Sequence, residues 1–322
     1  MGIVAAGGAS AVRQGEKDMA GDHDGLTVYF NGEYVPWAAA KVHVFAPVIK
    51  YGAGVFEGIC AYPSASGMNV FRLDAHLARL EYSQRVMRFE RVFSAEEMVE
   101  PVLEVVRRNA FTETVHLRPT VYVDGAGESG SLGPIGVYVT GVPVPRSAKV
   151  EAGCRVQVSS WQRLADVSMP TRVKANANYN NSRFASVQAR NDGYDTAVML
   201  NAKGHVAEGP GMCIFMVRGG RLVTPSITSS ILESVTRDTV LTLGRDELGL
   251  EAEERDVDRS ELYAADELFF CGTAWEVTPI VAVDGLNVGD GAPGPVTRKL
   301  QAAYFDLVEG RTADARGWLT PV

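Results

Sequence analysis

Cysteine is scarce. Cys60, Cys154, Cys213 and Cys271 are the only 4, widely separated and without a CxxC pair. Such spacing argues against a zinc site and a disulfide framework, and scattered thiols suit a reducing cytoplasm. The 5 histidines are dispersed, so no metal is expected. No apolar run approaches the roughly 18 residues of a membrane span. No basic cluster is present either: 31 basic residues face 39 acidic ones, a formal charge of −8. Nucleic acid and membrane are therefore not expected as partners, and small molecules are. Residues 1–25, rich in Gly, Ala and mixed charge, lack the apolar centre of a signal peptide and read as a disordered extension. His23 there, between Asp22 and Asp24, reads as solvated.

With 322 residues, 46% hydrophobic and 22% charged, the chain is globular and long enough for two cores. Alternating residues from Leu26 to Val35 around Asn31-Gly32 predict a hairpin. Asp74 is expected to cap a helix whose apolar face carries Leu77, Leu80 and Met87. Ser94 with Glu97 predicts a capping box for a second helix, which Pro101 should kink or shorten. Strands are expected at His116–Val123 and Gly136–Thr140. The proline-rich 141–147 is read as a linker, between a small domain at 26–140 and a large one at 148–322. Beyond it, strands at Arg155–Trp161, Thr196–Leu200, Leu268–Phe270 and Ile280–Val283 alternate with helices starting near Tyr179, Ser234 and Val296. A hairpin turns at Gly219-Gly220. The class is α+β.

Five groups carry candidate chemistry. Lys174, in Val173-Lys174-Ala175-Asn176-Ala177-Asn178-Tyr179, has small and amide neighbours and no acid beside it. A partly desolvated amine there is a nucleophile; the same lysine also reads as an ordinary loop residue. Glu208 precedes Gly209-Pro210-Gly211, where backbone can approach a flat ligand, or it is a turn glutamate. Ser234-Val235-Thr236 opening a helix forms an anion site or a plain cap. Gly272-Thr273-Ala274 ends an apolar strand as a second backbone clamp, and Arg79 on the first long helix reaches a phosphate or solvent.

Taken in order, the chain resembles fold-type IV pyridoxal-phosphate aminotransferases, and among them the branched-chain amino acid aminotransferases. The resemblance runs from Phe30-Asn31-Gly32-Glu33 through Tyr51-Gly52, Phe56-Glu57-Gly58, Leu117-Arg118-Pro119, Lys174 with Asn178-Tyr179, Glu208-Gly209, Val235-Thr236-Arg237-Asp238 and Gly272-Thr273-Ala274 to Gly294-Pro295-Val296-Thr297. It implies a two-domain fold of the D-amino acid aminotransferase type and pyridoxal 5′-phosphate as cofactor. It further implies exchange between an L-amino acid and 2-oxoglutarate by a ping-pong route. By position, Lys174 would carry the cofactor and move the proton. Tyr179 would meet its phenolate oxygen and Glu208 its pyridine nitrogen. Arg79, Val235, Thr236 and Thr273 would hold its phosphate. Tyr51, Phe56, His116, Arg118, Thr273 and Ala274 would face the substrate, and the chain would be at least a homodimer.

Departures from the pattern gather on the substrate side. His116 replaces a tyrosine, Val144 an aromatic residue and Ser234 a glycine, and Gly209-Pro210-Gly211-Met212-Cys213 replaces the usual Gly-x-Gly-Glu-Asn run. A tailoring transaminase for an unusual amino acid, an (R)-amine transaminase and a D-amino acid aminotransferase are the alternatives. A non-catalytic cofactor-binding protein is disfavoured because every cofactor position is intact.

Overall fold

The computed structural model describes residues 23–322, so the expectation for residues 1–22 lies outside the described residues. The first hairpin pairs β1 (Thr27–Phe30) with β2 (Glu33–Pro36), and its turn uses positive φ at Asn31 (50°) and Gly32 (99°) as the sequence requires. His23 is not simply solvated, because its ring lies 4.8 Å from that of Trp37. A short helix α1 (Pro47–Tyr51) leads to β3 (Gly54–Phe56), β4 (Ile59–Ser64) and β5 (Gly67–Phe71).

Helices α2 (Leu73–Val86) and α3 (Ala95–Asn109) cover one face of this sheet. Asp74 does not cap α2: β5 ends at Phe71, the chain reverses at Arg72 with φ 53°, and Asp74 falls inside the first turn. Ser94 and Glu97 do form the capping box of α3. Pro101 does not shorten α3, which continues to Asn109. A mid-helix proline costs about 3 kcal/mol. Met98, Val102, Val105 and Val106 are each no more than 2% exposed. Burial at about 1.5–3 kcal/mol apiece outweighs the proline.

β6 (Val115–Val123) and β7 (Ile135–Pro143) complete the first sheet, in the order β17-β5-β4-β6-β7-β1-β2 with β3 on β6. β7 extends to Pro143, which pairs with Val115, so Gly141–Pro143 belong to a strand rather than to the linker. The order closes on β17 (Leu319–Pro321), so the far end of the chain returns to the first sheet rather than staying with the second.

After α4 (Lys149–Ala152), a nine-stranded sheet follows the order β10-β9-β8-β15-β14-β11-β12-β13, with β16 (Leu286–Asn287) on β15. Its strands are β8 (Cys154–Val158), β9 (Thr196–Leu200), β10 (Val206–Glu208), β11 (Cys213–Arg218), β12 (Arg221–Pro225), β13 (Ala252–Arg255), β14 (Glu267–Gly272) and β15 (Glu276–Val283). Parallel neighbours need crossovers, and α5 (Asn178–Asn191) joins β8 to β9 while α6 (Val235–Asp246) joins β12 to β13. α7 (Pro295–Val308) packs on the same core. β8 stops at Val158 rather than Trp161: Ser159 Oγ accepts from Trp161 N–H (3.0 Å), turning the chain out of the ladder.

The two sheets meet through backbone. Phe56 N–H donates to Lys174 O (3.0 Å) and Asn176 N–H to Gly54 O (2.9 Å), so β3 of the first sheet holds the lysine segment that precedes α5. Among the described residues no helix is long and apolar enough to cross a membrane.

Candidate active site

A cavity of about 290 Å³ opens where β3, the lysine segment, β10 and the ends of α6 and β14 converge. Ten of the residues singled out from sequence line it: Phe56, Arg79, His116, Arg118, Lys174, Tyr179, Glu208, Val235, Thr273 and Ala274. Thr236 is buried one residue behind Val235, outside the wall. Tyr51 does not line it. Its ring is 44% exposed and its hydroxyl donates to Glu128 Oε2 (2.6 Å).

Lys174 Nζ donates to Tyr179 Oη at 2.6 Å, and lies 5.0 Å from the Phe56 ring centroid. The i, i+5 spacing brings the two together because Lys174 leaves the β3 pairing just before α5 begins at Asn178. Phe56 also packs on Tyr179 (4.9 Å) and under the Arg118 guanidinium (3.9 Å).

Glu208 lines the cavity, 5% exposed at the close of β10. Oε2 accepts from Leu232 N–H (3.2 Å), and Oε1 lies 2.7 Å from Arg163 Nε, a charge contact with the N–H directed off the oxygen. Burial pushes the Glu208 carboxyl upward, against the pull of Arg163, the Leu232 N–H and Lys174. The site therefore favours a further cation beside this carboxylate. Arg163, itself buried, lines the cavity with Nη1 unpartnered. Sequence reading passed over Arg163: a lone arginine two residues after Trp161 carries no local signal.

α6 presents its N-terminus to the same cavity. Ser234 Oγ accepts from Arg237 N–H (3.2 Å) and Ser234 O from Asp238 N–H (3.1 Å). The N–H groups of Val235 and Thr236 are left for a ligand, as at any helix start. Arg79 reaches the same end, donating through Nη1 to Glu233 O (2.6 Å). Its other two nitrogens meet Glu57, Nε to Oε1 and Nη2 to Oε2, both at 2.7 Å. His76 Nδ1 lies 2.8 Å from Glu57 Oε2, and since a carboxylate only accepts, the ring donates. Burial by itself raises the Glu57 carboxyl, but Arg79 and His76 outweigh it and hold the group at about 2. Burial pushes His76 below its ordinary value despite Glu57, which keeps the imidazole neutral.

The third wall is Thr273 and Ala274. Cys60 Sγ donates to Thr273 O (3.5 Å) from outside the cavity. His116 faces this wall from β6; burial, with the Arg118 and Lys174 charges, pushes it down to about 4. Val144, Met212 and Trp275 supply apolar surface. Sequence reading also missed Trp275 as a lining residue. Among the described residues no cluster of acids, cysteines and histidines could hold a metal, and all 4 cysteines are buried and unpaired by disulfides.

One cavity thus combines an amine on a phenol, a buried carboxylate, and a helix start with an arginine for an anion. Residues 54–283 match the family described as Amino-transferase class IV. The chain belongs to that family. It is 41% identical over 303 residues to a branched-chain-amino-acid aminotransferase of Salmonella typhimurium, covering 92% of this chain and 97% of that one. Among solved structures, the branched-chain aminotransferase of Thermoproteus uzoniensis with norvaline superposes with a TM-score of 0.88 at 42% identity, covering 92% of this chain and 99% of that one. The branched-chain amino acid aminotransferase of Thermobaculum terrenum, in its PLP form, gives 0.86 at 42% identity, with 93% and 99% covered. This class IV aminotransferase has the fold-type IV, α+β architecture and pyridoxal 5′-phosphate as its cofactor. The buried Glu208 carboxylate fits a cationic ring nitrogen, and the α6 N–H groups with Arg79 fit a phosphate.

Proposed function

We propose that the chain transfers the amino group of a hydrophobic L-amino acid, of branched-chain or related type, to 2-oxoglutarate by a ping-pong route. One observation carries this reading: the Lys174–Tyr179 pair, Glu208 and the α6 N-terminus line one cavity.

When bound, the cofactor supplies an electrophilic carbon and an electron-withdrawing ring that acidifies the donor's Cα–H. Lys174 Nζ would hold the cofactor and, when free, is the base placed to take and return the proton at the donor's Cα. Tyr179 Oη accepts from Nζ and steadies it. Glu208, paired with Arg163, would set its charge against the ring nitrogen. Arg79, Val235, Thr236 and Thr273 would bind the phosphate, with Glu57 fixing the Arg79 fork. The Ala274 N–H and His116 receive the substrate carboxylate. Arg118, stacked on Phe56, is the cation for the second carboxylate of glutamate or 2-oxoglutarate.

Tyr51 meets a substrate only across a chain–chain contact. It lies among exposed Val44, Phe45 and Ile49, a surface of the kind that a second copy covers, and a homodimer or higher homo-oligomer is proposed. A donor of unusual side chain, or an (R)-amine, is the second reading, favoured by His116, Val144 and Trp275 around the substrate end.

The test is an absorbance titration of purified holoenzyme with L-leucine, L-isoleucine, L-valine, L-glutamate, a β-branched aromatic amino acid and an (R)-amine. Conversion of the cofactor band by the branched-chain donors and glutamate supports the first reading. Conversion only by the last two supports the second, and no conversion by any donor overturns both.

A further inference from the structure

Glu276 sits where a glycine would be expected. It opens β15 directly after the three-residue connection Thr273-Ala274-Trp275, its φ is +48°, and it is 7% exposed. Glycine would take that left-handed conformation without steric strain and without a buried charge. A glutamate held there points to a task for the side chain.

Its partners identify the task. Arg146 grips both carboxylate oxygens, Nε to Oε2 at 2.8 Å and Nη2 to Oε1 at 3.2 Å, and the buried Tyr62 hydroxyl donates to Oε1 at 3.2 Å. Arg146 belongs to the segment that joins the two sheets, two residues after Val144, which lines the cavity. Val144 N–H is itself fixed to Thr114 O (2.9 Å). The Arg146 guanidinium stacks 3.8 Å from the Phe305 ring centroid and donates to Glu309 at the end of α7 (2.8 Å). The clamp therefore ties two walls of one cavity together: Val144 on the linker and Thr273–Trp275 on the sheet.

We propose that Arg146 and Glu276 are positioning residues that set the spacing between these walls, and so the fit of the amino donor. The inference rests on the reading that Thr273 and Ala274 face the cofactor phosphate and the substrate carboxylate. Neither clamp residue lines the cavity, so both act through the loop and the linker rather than by contact. A bidentate guanidinium–carboxylate pair has the directional rigidity that such a role demands.

The experiment compares holoenzyme variants Glu276→Gln, Glu276→Gly, Arg146→Met and Thr273→Val. Donor KM, kcat, cofactor absorbance and cofactor retention on dialysis are measured for each. Loss of the clamp is expected to raise donor KM about tenfold while kcat stays within about threefold and the cofactor is retained. Glu276→Gly shows the same rise although it relieves the backbone, which separates the anchor from the turn. Donor KM within about twofold of wild type in all three clamp variants overturns the proposal. So does a parallel fall in kcat and cofactor retention, which would make the pair part of the general scaffold. Thr273→Val tests the underlying reading: unchanged donor KM and cofactor retention there overturn it, and the clamp with it. A Thr273→Val effect with silent clamp variants overturns the clamp alone.

Discussion

Replacing Glu57 by Gln probes the most deeply buried charges near the site. Glu57 is 0% exposed and accepts from Arg79 Nε, Arg79 Nη2 and His76 Nδ1 at 2.7–2.8 Å. An amide keeps one accepting oxygen, turns a donor toward donors, and leaves the Arg79 charge uncompensated. Breaking one side of a buried pair costs about 3–5 kcal/mol. The carboxyl's fall from 4.5 to about 2 converts independently to about 3 kcal/mol. Because this group is depressed in the folded state, its contribution is complete above about pH 4.5 and is lost as pH falls toward about 2. Urea unfolding of wild type and variant should differ by about 3 kcal/mol at pH 7, narrowing by about 1 kcal/mol at pH 3.5. The variant should also release cofactor faster, since Arg79 loses its fixed orientation. A difference under about 1 kcal/mol at pH 7, or one that does not narrow with acid, refutes the reasoning.

Three further outcomes are expected. His116, held neutral down to about 4, contributes stability that is complete above pH 6.5 and lost as pH falls toward 4; His116→Phe should remove about 2 kcal/mol of the wild-type loss between pH 7.5 and 5, and unchanged pH profiles would contradict the neutral ring. Lys174→Ala should lower turnover at least about 1000-fold while cofactor still binds by its phosphate, read by turnover and equilibrium dialysis; ordinary turnover rules out the lysine's role. Ser94→Ala, which deletes the α3 capping box, should cost about 1 kcal/mol in urea unfolding, and no shift of the midpoint removes the cap from the account.

Local rules served well where neighbours in sequence are also neighbours in space. The Asn31-Gly32 turn, the Ser94–Glu97 box and the start of α6 at Ser234 follow from a few adjacent residues. Errors arose where distant contacts overrode local preference. Pro101 continues a helix because that helix is packed, and Gly141–Pro143 extend β7 because β6 lies alongside. Asp74 lost its capping place when Arg72 took up the reversal after β5. For the site, Lys174, Tyr179 and Glu208 were legible because their order and glycine-rich surroundings together make a pattern. Arg163 and Trp275 were not, since neither has a local signature and each reaches the cavity only through the fold.

Residue type and order alone determined which chemistry this chain can support: one amine, one phenol, one carboxylate and a helix start in sequence. Short-range backbone preferences drew most of the strands and helices. Tertiary structure decided which of these groups meet. The β3 hydrogen bonds to the lysine segment, the Arg163 charge beside Glu208 and the Arg146 grip on Glu276 each join residues from separate parts of the chain. Hydrogen bonds and ion pairs act over about 3 Å, whatever the separation in sequence. Composition and periodicity carry no record of such pairings until the two sheets have packed.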